Sequence, residues 1–322
     1  MHSTKQCLAC KYSDLEIIKY SNHVNKINKS IVKHFVGSLF FYLVSFTKTK
    51  LYYWLKSKLL FSPKYHINRC MNCGYAVYSR EISESELKHY YNNIYWNSSG
   101  TIVKNENIND DYKIDPRANG QYNCVKNYLK NYLNIDLLEI GAGEAYFSRL
   151  LRENYKRNIM INVVEPGERW RSYYNKLKIH LAADFFPFKS KNKYNYIHTS
   201  HWLEHVYDLN LTINKIKDLL GKNGLVFVEV PNCNSEYFSL NIGDTPHIHF
   251  FTVDSIKLIF ENKGFECLDI NEYGLTNGEE FIRRNNPNNF NRNILEDANN
   301  SIKSNIPRAG GSSLRGLFKI IC

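Results

Sequence analysis

Apolar positions change their period along this 322-residue chain. From Asp136 onward, short continuous apolar runs alternate with segments spaced at three and four residues. Asp136–Ile140 reads as a buried strand, and Tyr146–Glu153 as a helix entered through a glycine turn. Ile159–Val164, Tyr194–Ile197, Leu225–Val230 and Phe265–Ile270 read as further strands, the third of these stopped by Pro231. Leu211–Leu220 reads as a helix ended at Gly221-Lys-Asn-Gly224, and Thr252–Lys263 as a helix closed by Gly264. Strands alternating with helices predict an α/β fold with a doubly wound, mostly parallel, Rossmann-like sheet. A ligand is expected at the carboxyl ends of its strands.

The N-terminal third follows another pattern. Phe35–Phe46 is strongly apolar; Lys48 and Lys50 follow it, and Lys56 and Lys58 interrupt a second run over Leu51–Phe61. A spanning helix needs about 20 uninterrupted apolar residues, so no span is predicted. An insert over about 31–61 is expected instead, either a helical pair packed in the N-terminal module or a basic aromatic surface on an anionic membrane. The first is favoured, because short apolar helices are mostly core. Leu87–Trp96 also has helical spacing, and its Tyr90, Tyr91 and Tyr95 pack a domain junction or cap an acceptor site, with packing favoured.

Hydrophobic residues at 43% and charged residues at 23% exclude a disordered or collagen-like chain. The start, Met1–Cys7, lacks the basic-then-apolar run of a secretory signal. A reducing, cytoplasmic compartment is expected, with peripheral contact at the inner membrane face left open. The net charge of +11 is uneven. Residues 1–116 carry 16 basic and 9 acidic side chains, 117–279 carry 19 of each, and 280–322 carry 7 and 3. Basic flanks around a neutral middle suit an anionic partner, such as a nucleotide-linked substrate, a lipid surface or nucleic acid, or they simply solubilise the chain. Three parts follow: an N-terminal module at 1–116, a central domain at 117–279 and a basic, Asn-rich tail at 280–322.

Cys7-Leu-Ala-Cys10 and Cys70-Met-Asn-Cys73 are two C-x-x-C knuckles. In a reducing compartment such pairs suggest a metal. Two knuckles complete a tetrahedral site of four thiolates for a structural zinc, with no position left for water. The wide gap from Cys10 to Cys70 leaves two unrelated thiol pairs as the alternative. Cys124, Cys233, Cys267 and Cys322 are isolated and read as ordinary thiols.

In the central domain, Gly141-Ala-Gly143-Glu-Ala145 joins the first strand to its helix, and Glu165 ends the second strand. The glycines let the backbone approach a ligand, and Glu165 lies near the usual offset of about 20 residues for a ribose acceptor. The segments Leu138–Ala145, Val164-Glu165-Pro166, Leu203-Glu-His-Val206, Gly224–Pro231 and His247–Phe251 together resemble class I S-adenosylmethionine-dependent methyltransferases over about residues 117–272. The knuckles followed by this domain also resemble bacterial sugar and surface-glycan methyltransferases with a zinc-binding N-terminal module.

The resemblance implies S-adenosylmethionine as cofactor and a small-molecule or glycan-linked acceptor. It implies that Glu139, Gly141 and Gly143 shape the methionine pocket and that Glu165 holds the ribose. Asp184 and Phe185 would border the adenine, while Ser200, His201 and Trp202 line the cofactor. His205 matches a position near the reaction centre of the sugar enzymes. Ala145 stands where the usual motif has a third glycine, and the family's last antiparallel strand is hard to place after Ile270.

The acceptor must lose a proton, and histidine is a natural base for that near neutral pH. His205 is the first candidate, with Glu204 as its orienting neighbour; His247, His201 and His249 follow. Three rivals are weighed. A nucleic-acid methyltransferase acting on exocyclic nitrogen would carry an Asn/Asp-Pro-Pro-aromatic turn, where this chain has Thr199-Ser-His-Trp202. A nicotinamide dehydrogenase would have a fuller glycine motif. A degenerate zinc-stabilised scaffold would not need Glu139 and Glu165.

Overall fold

The structure is a computed structural model that describes residues 6–19, 66–91, 110–166, 168–240 and 247–321. The expected insert over 31–61 and Tyr95 lie outside the described residues. Among those described, no helix is long and apolar enough to cross a membrane.

The N-terminal module contributes β1 (Leu15–Lys19), β2 (His66–Cys70), β3 (Ala76–Tyr78) and α1 (Glu84–Tyr90). Ser83 starts α1 with a capping box, its side chain accepting from the Glu86 amide while Glu86 reaches back to the Ser83 amide. The central domain follows with α2 (Pro116–Leu129), β4 (Asn134–Ile140), α3 (Tyr146–Asn154), β5 (Asn158–Val164), α4 (Glu168–Lys176) and β6 (His180–Ala183). It continues through β7 (Tyr194–Ser200), a 3-10 turn at Leu203–His205, α5 (Leu209–Leu219), β8 (Leu220–Pro231) and α6 (Ser235–Ser239). The C-terminal part is β9 (His249–Phe250), α7 (Val253–Glu261), β10 (Phe265–Thr276), α8 (Asn277–Asn285), α9 (Arg292–Ser304) and β11 (Gly311–Ile320).

Seven strands form the main sheet in the order β10-β11-β8-β7-β4-β5-β6. Pairings among β4, β5, β6, β7 and β8 are parallel, whereas β11 runs antiparallel to both β8 and β10. From β4 the chain builds outward through β5 to β6, then returns to place β7 on the other side of β4. The connections therefore diverge between β4 and β7, and such a switch point opens a crevice at the strands' carboxyl ends. Alternate residues of β4 feed the two faces: Leu138 and Ile140 join one apolar core, Ile135 and Leu137 the other.

Two readings of the sequence need correction. The segment 280–322 is not a tail: α9 packs on α2, and β11 is an interior strand between β8 and β10. Its polar residues concealed it, because Ser313 and Arg315 point at a buried carboxylate on β8. Gly221–Gly224 does not close a helix either; α5 ends at Leu219 and the glycines fall within β8, where the pairing with β7 slips register.

The small sheet has the order β1-β2-β3-β9 and is antiparallel throughout. Its last strand comes from the C-terminal half of the chain, so the module's sheet is completed by the residues that follow His247. Cys7, Cys70 and Cys73 share one buried cluster with Leu138, Val228 and Phe251. The module is thus continuous with the core of the main sheet.

Candidate active site

The crevice at the switch point is a cavity built mainly from four places. The turn after β4 supplies Gly141 and Gly143, both in the left-handed region at φ +73° and +50°. Ala145 caps α3 and is also left-handed, at φ 53°, a conformation that costs a non-glycine residue about 1–2 kcal/mol. The end of β5 supplies Glu165, which accepts from the Gly143 amide at 2.9 Å and so ties the turn to the next strand. Asp184, Phe185 and Phe186 follow β6, and His201, Trp202 and His205 follow β7.

A Cβ on Gly143 would meet nothing within 4 Å, so its backbone faces open cavity; a Cβ on Gly141 would stand 3.0 Å from Trp202. This arrangement fits an adenosyl ligand: exposed backbone at the turn, a carboxylate on the rim and aromatic walls.

Of the residues expected to hold a cofactor, Gly141, Gly143, Glu165, Asp184, Phe185, His201 and Trp202 line the cavity. Glu139 and Ser200 do not. Glu139 is buried beneath the turn and accepts from the Ser148 hydroxyl; burial, and then repulsion from Glu165, push its carboxyl up to about 7. The Ser200 hydroxyl accepts from the Gln121 amide at 2.9 Å. The structure also adds a wall at the segment whose tyrosines read, from the sequence, as packing a junction or capping an acceptor site. Glu84, Leu87, Lys88 and Tyr91, on and just after α1 of the N-terminal module, close the cavity opposite the glycine turn. Helical spacing from Leu87 marked the helix, and the capping box at Ser83 was the further signal for its start. Tyr90 is buried in packing, whereas Tyr91 meets His205 edge-on at 6.3 Å.

Behind the cavity wall sits a buried carboxylate. Glu204, in the turn after β7, is 1% exposed, and neither of its oxygens accepts a hydrogen bond. Three histidines surround Oε1: Nδ1 of His201 at 3.5 Å, Nε2 of His205 at 3.6 Å and Nε2 of His247 at 3.9 Å. Burial alone would raise the Glu204 pKa, but the neighbouring histidine charges, His205 first, bring it down to about 2. His201 is left-handed at φ 50°, and its Nε2 lies 3.6 Å from Glu229. Burial and Arg117 pull its pKa down; the carboxylates of Glu204 and Glu229 outweigh them and raise it.

Glu229 anchors the far side. It accepts from Gln121 at 2.9 Å, Ser313 at 3.0 Å and Arg315 at 3.1 Å, with Arg117 at 3.3 Å. A second cavity opens there, lined by Arg117, His201, His247, Asn277, Arg283 and Arg284 among others. His201 therefore borders both cavities, with Glu204 between its ring and those of His205 and His247. His249 is not a candidate base. It is buried, Tyr75 Oη lies 2.7 Å from Nδ1, and Val206 O lies 2.9 Å from Nε2. A carbonyl only accepts, so Nε2 carries the proton and Nδ1 accepts from the tyrosine.

Residues 117–270 match the family model described as a methyltransferase domain. No curated protein matches the chain. Solved structures similar to it include an S-adenosylmethionine-dependent methyltransferase from Clostridium acetobutylicum, 9% identical over 63% of this chain and 92% of that one, with a TM-score of 0.44. Another, from Mesorhizobium loti, is 11% identical over 62% and 97%, with a TM-score of 0.44. The N-methyltransferase NodS from Bradyrhizobium japonicum, solved with S-adenosyl-L-homocysteine, is 12% identical over 66% and 93%, with a TM-score of 0.42. At these values the likenesses say nothing of the acceptor.

The cysteine knuckles lie in the N-terminal module, ahead of the central domain. Sγ of Cys7 lies 3.6 Å from Cys73 and Sγ of Cys10 lies 3.5 Å from Cys70; all four sulfurs lie within 4.8 Å of one another. A tetrahedral ion with bonds of about 2.3 Å separates its sulfurs by about 3.8 Å, so the four side chains fit one zinc ion. The β1–β2 pairing, in which Leu15 faces Cys70, overcomes the long separation in sequence. Two further bonds fix the knuckles to the central domain: Thr252 Oγ1 donates to Cys73 O at 2.7 Å and Asn262 Nδ2 to Ala9 O at 2.6 Å.

Proposed function

We propose that the chain transfers a methyl group from S-adenosylmethionine to a small acceptor, a sugar, nucleotide sugar or surface-glycan unit. The observation that carries this reading is the crevice at the β4–β7 switch point of a domain matched as a methyltransferase: glycine backbone on one wall, Glu165 on the rim, His205 in the lining, and His201 bordering both this cavity and a second one.

Glu165 accepts from the ribose hydroxyls. Gly141 and Gly143 admit the methionine part at close range, and Asp184 with Phe185 borders the adenine. Trp202 walls the reacting end. When bound, the sulfonium supplies an already activated methyl group, so the protein's work is alignment and management of the acceptor's proton. The cluster of Glu204, His205 and His247 stands where that proton must be handled, and His205 is its member on the donor cavity. The four cysteines hold a structural zinc that pins the two knuckles, bonded to Thr252 and Asn262, against the domain.

Titration of S-adenosylhomocysteine by calorimetry tests the reading. Saturable binding is expected, and Glu165→Ala should weaken it roughly 10- to 150-fold, the equivalent of about 1.5–3 kcal/mol for hydrogen bonds to a charged group. Glu139→Gln, beneath the turn, should change it much less. An unchanged dissociation constant in Glu165→Ala overturns the site, and a donor-consumption screen over nucleotide sugars then addresses the acceptor.

A further inference from the structure

We infer that Glu204, His205 and His247 form a binding site for one divalent first-row transition-metal ion, distinct from the four-cysteine site, with open positions that take an oxygen of the acceptor. The site stands on geometry alone; its role for the acceptor rests on the methyl-transfer reading above.

The starting point is the environment of Glu204. A fully buried carboxylate normally accepts two or three hydrogen bonds, and leaving one without them is costly. Both oxygens of Glu204 have none among the described residues. Nε2 of His205 and Nε2 of His247 nevertheless point at Oε1, at 3.6 and 3.9 Å. Those separations are too long for hydrogen bonds, which end near 3.2 Å. They suit donor atoms arranged around a shared ion. With metal–nitrogen and metal–oxygen bonds of about 2.1 Å, two ligands at a tetrahedral angle stand about 3.4 Å apart. One ligand atom from each of the three side chains lies within 4.8 Å of the other two, so a small inward movement closes the shell.

The backbone holds these residues ready. Glu204 and His205 share the 3-10 turn Leu203–His205, and the Ile248 amide donates to Glu204 O at 2.8 Å, bringing His247 to the turn. The Ile248 carbonyl in turn accepts from Tyr78 of the N-terminal module at 2.9 Å.

Two imidazoles and one carboxylate are ligands of intermediate hardness, suited to manganese, iron, cobalt, nickel or zinc. Three protein ligands leave positions open, unlike the closed shell of four thiolates. His205 borders the donor cavity and His247 the second one, so those positions face the place where donor and acceptor meet. An ion held by Nε2 of His205 leaves that nitrogen no lone pair for a proton. His205 is then a ligand and not a base: the ion binds the acceptor oxygen and lowers the pKa of its hydroxyl, so that the proton leaves to bulk water as the methyl group is transferred.

The test uses the full chain with zinc in its cysteine site, titrated with Mn2+ and followed by electron paramagnetic resonance. Mn2+ lies at the weak end of the divalent series and does not displace zinc from thiolates. One equivalent should bind saturably, with electron–nuclear coupling to imidazole nitrogen. Glu204→Gln and His247→Ala should each weaken binding by about 100-fold or more, with zinc content and circular dichroism unchanged. Absence of saturable Mn2+, absence of nitrogen coupling, or equal affinity in both variants overturns the site and leaves histidine charge alone to balance Glu204. Nitrogen coupling and stoichiometry in the unaltered protein decide the matter even if a variant does not fold. S-adenosylhomocysteine calorimetry on the same samples separates the two claims: donor binding without Mn2+ overturns the metal site only, and Mn2+ binding without donor overturns the methyl-transfer reading only.

Discussion

The hydroxyl of Tyr75, next to the second cysteine knuckle, donates to Nδ1 of His249 at 2.7 Å, and His249 passes the link on to Val206 O. A residue of the N-terminal module thereby fixes the turn that carries Glu204 and His205. Tyr75→Phe removes the donor and leaves a buried ring nitrogen unsatisfied, which costs about 1–3 kcal/mol. The expected result is a lower urea midpoint together with a lower turnover, while S-adenosylhomocysteine affinity changes little. A variant with wild-type stability would show that the link is incidental.

The pair of Glu229 and Arg315 ties the C-terminal strand to the site. Both side chains are essentially inaccessible, at 1% and 0% exposure, and are bonded at 3.1 Å. Burial opposes ionisation of Glu229, yet Arg315 and then His201 hold its pKa well below the usual carboxylate range. Arg315→Met leaves a buried charge with part of its shell, and a loss of about 3–5 kcal/mol is expected. Adding Glu229→Gln should recover much of that loss, because neither partner then carries an uncompensated charge. A double mutant as unstable as the single one would mean that Arg315 acts through packing.

How much of this could be read from the sequence depends on where polarity falls. The unit β4, glycine turn, α3 was legible because an apolar run, two glycines and a helical period follow one another without interruption. The rim carboxylate Glu165 was legible by its position. Glu139 was assigned to the pocket by resemblance, but it lies beneath the turn, bonded to Ser148. Strand β11 was illegible because Ser313 and Arg315 interrupt its apolar pattern to meet Glu229, a partner 84 and 86 residues away. Strand β9 spans two residues, too few for any period to register. The wall formed by α1 was legible as a helix but not as one role, packing or capping, because nothing local states which helix face a distant domain will cover.

The C-terminal helix makes a sharp steric prediction. Gly120 of α2 lies against α9, and a Cβ there would stand 1.7 Å from Ile302 O and 2.4 Å from Nη1 of Arg315. A backbone oxygen cannot give way as a side chain can. Gly120→Ala should therefore destabilise the fold by about 2–3 kcal/mol, despite the gain of about 1 kcal/mol in helix propensity. Gly143→Ala, facing open space at φ +50°, should cost only about 1–2 kcal/mol. Equal urea midpoints for the two variants would refute the close approach of α2 and α9.

His198 gives the stability a pH dependence whose sign can be worked out. Its ring is stacked between Phe147 at 3.6 Å and Phe227 at 4.7 Å, and burial pushes its pKa down from 6.5 to about 3. On acidification the unfolded chain takes up this proton first. The contribution of His198 is thus present above pH 6.5 and is lost as pH falls toward 3, at about 1.4 kcal/mol per pH unit. Glu139 works in the opposite direction. Its pKa is raised from 4.5 to about 7, so its contribution is present below 4.5 and lost as pH rises toward 7. The two slopes oppose each other between pH 4.5 and 6.5, where His249, pushed down to about 4 by burial, adds a slope of the same sign as that of His198, so the groups are separated by variants and not by the wild-type curve. Urea unfolding from pH 7.5 to 4.5 should then show His198→Phe becoming progressively more stable relative to wild type below pH 6.5. Glu139→Gln should instead gain on wild type as pH rises. Curves parallel to wild type in both variants would mean that neither group titrates out of step with the unfolded chain.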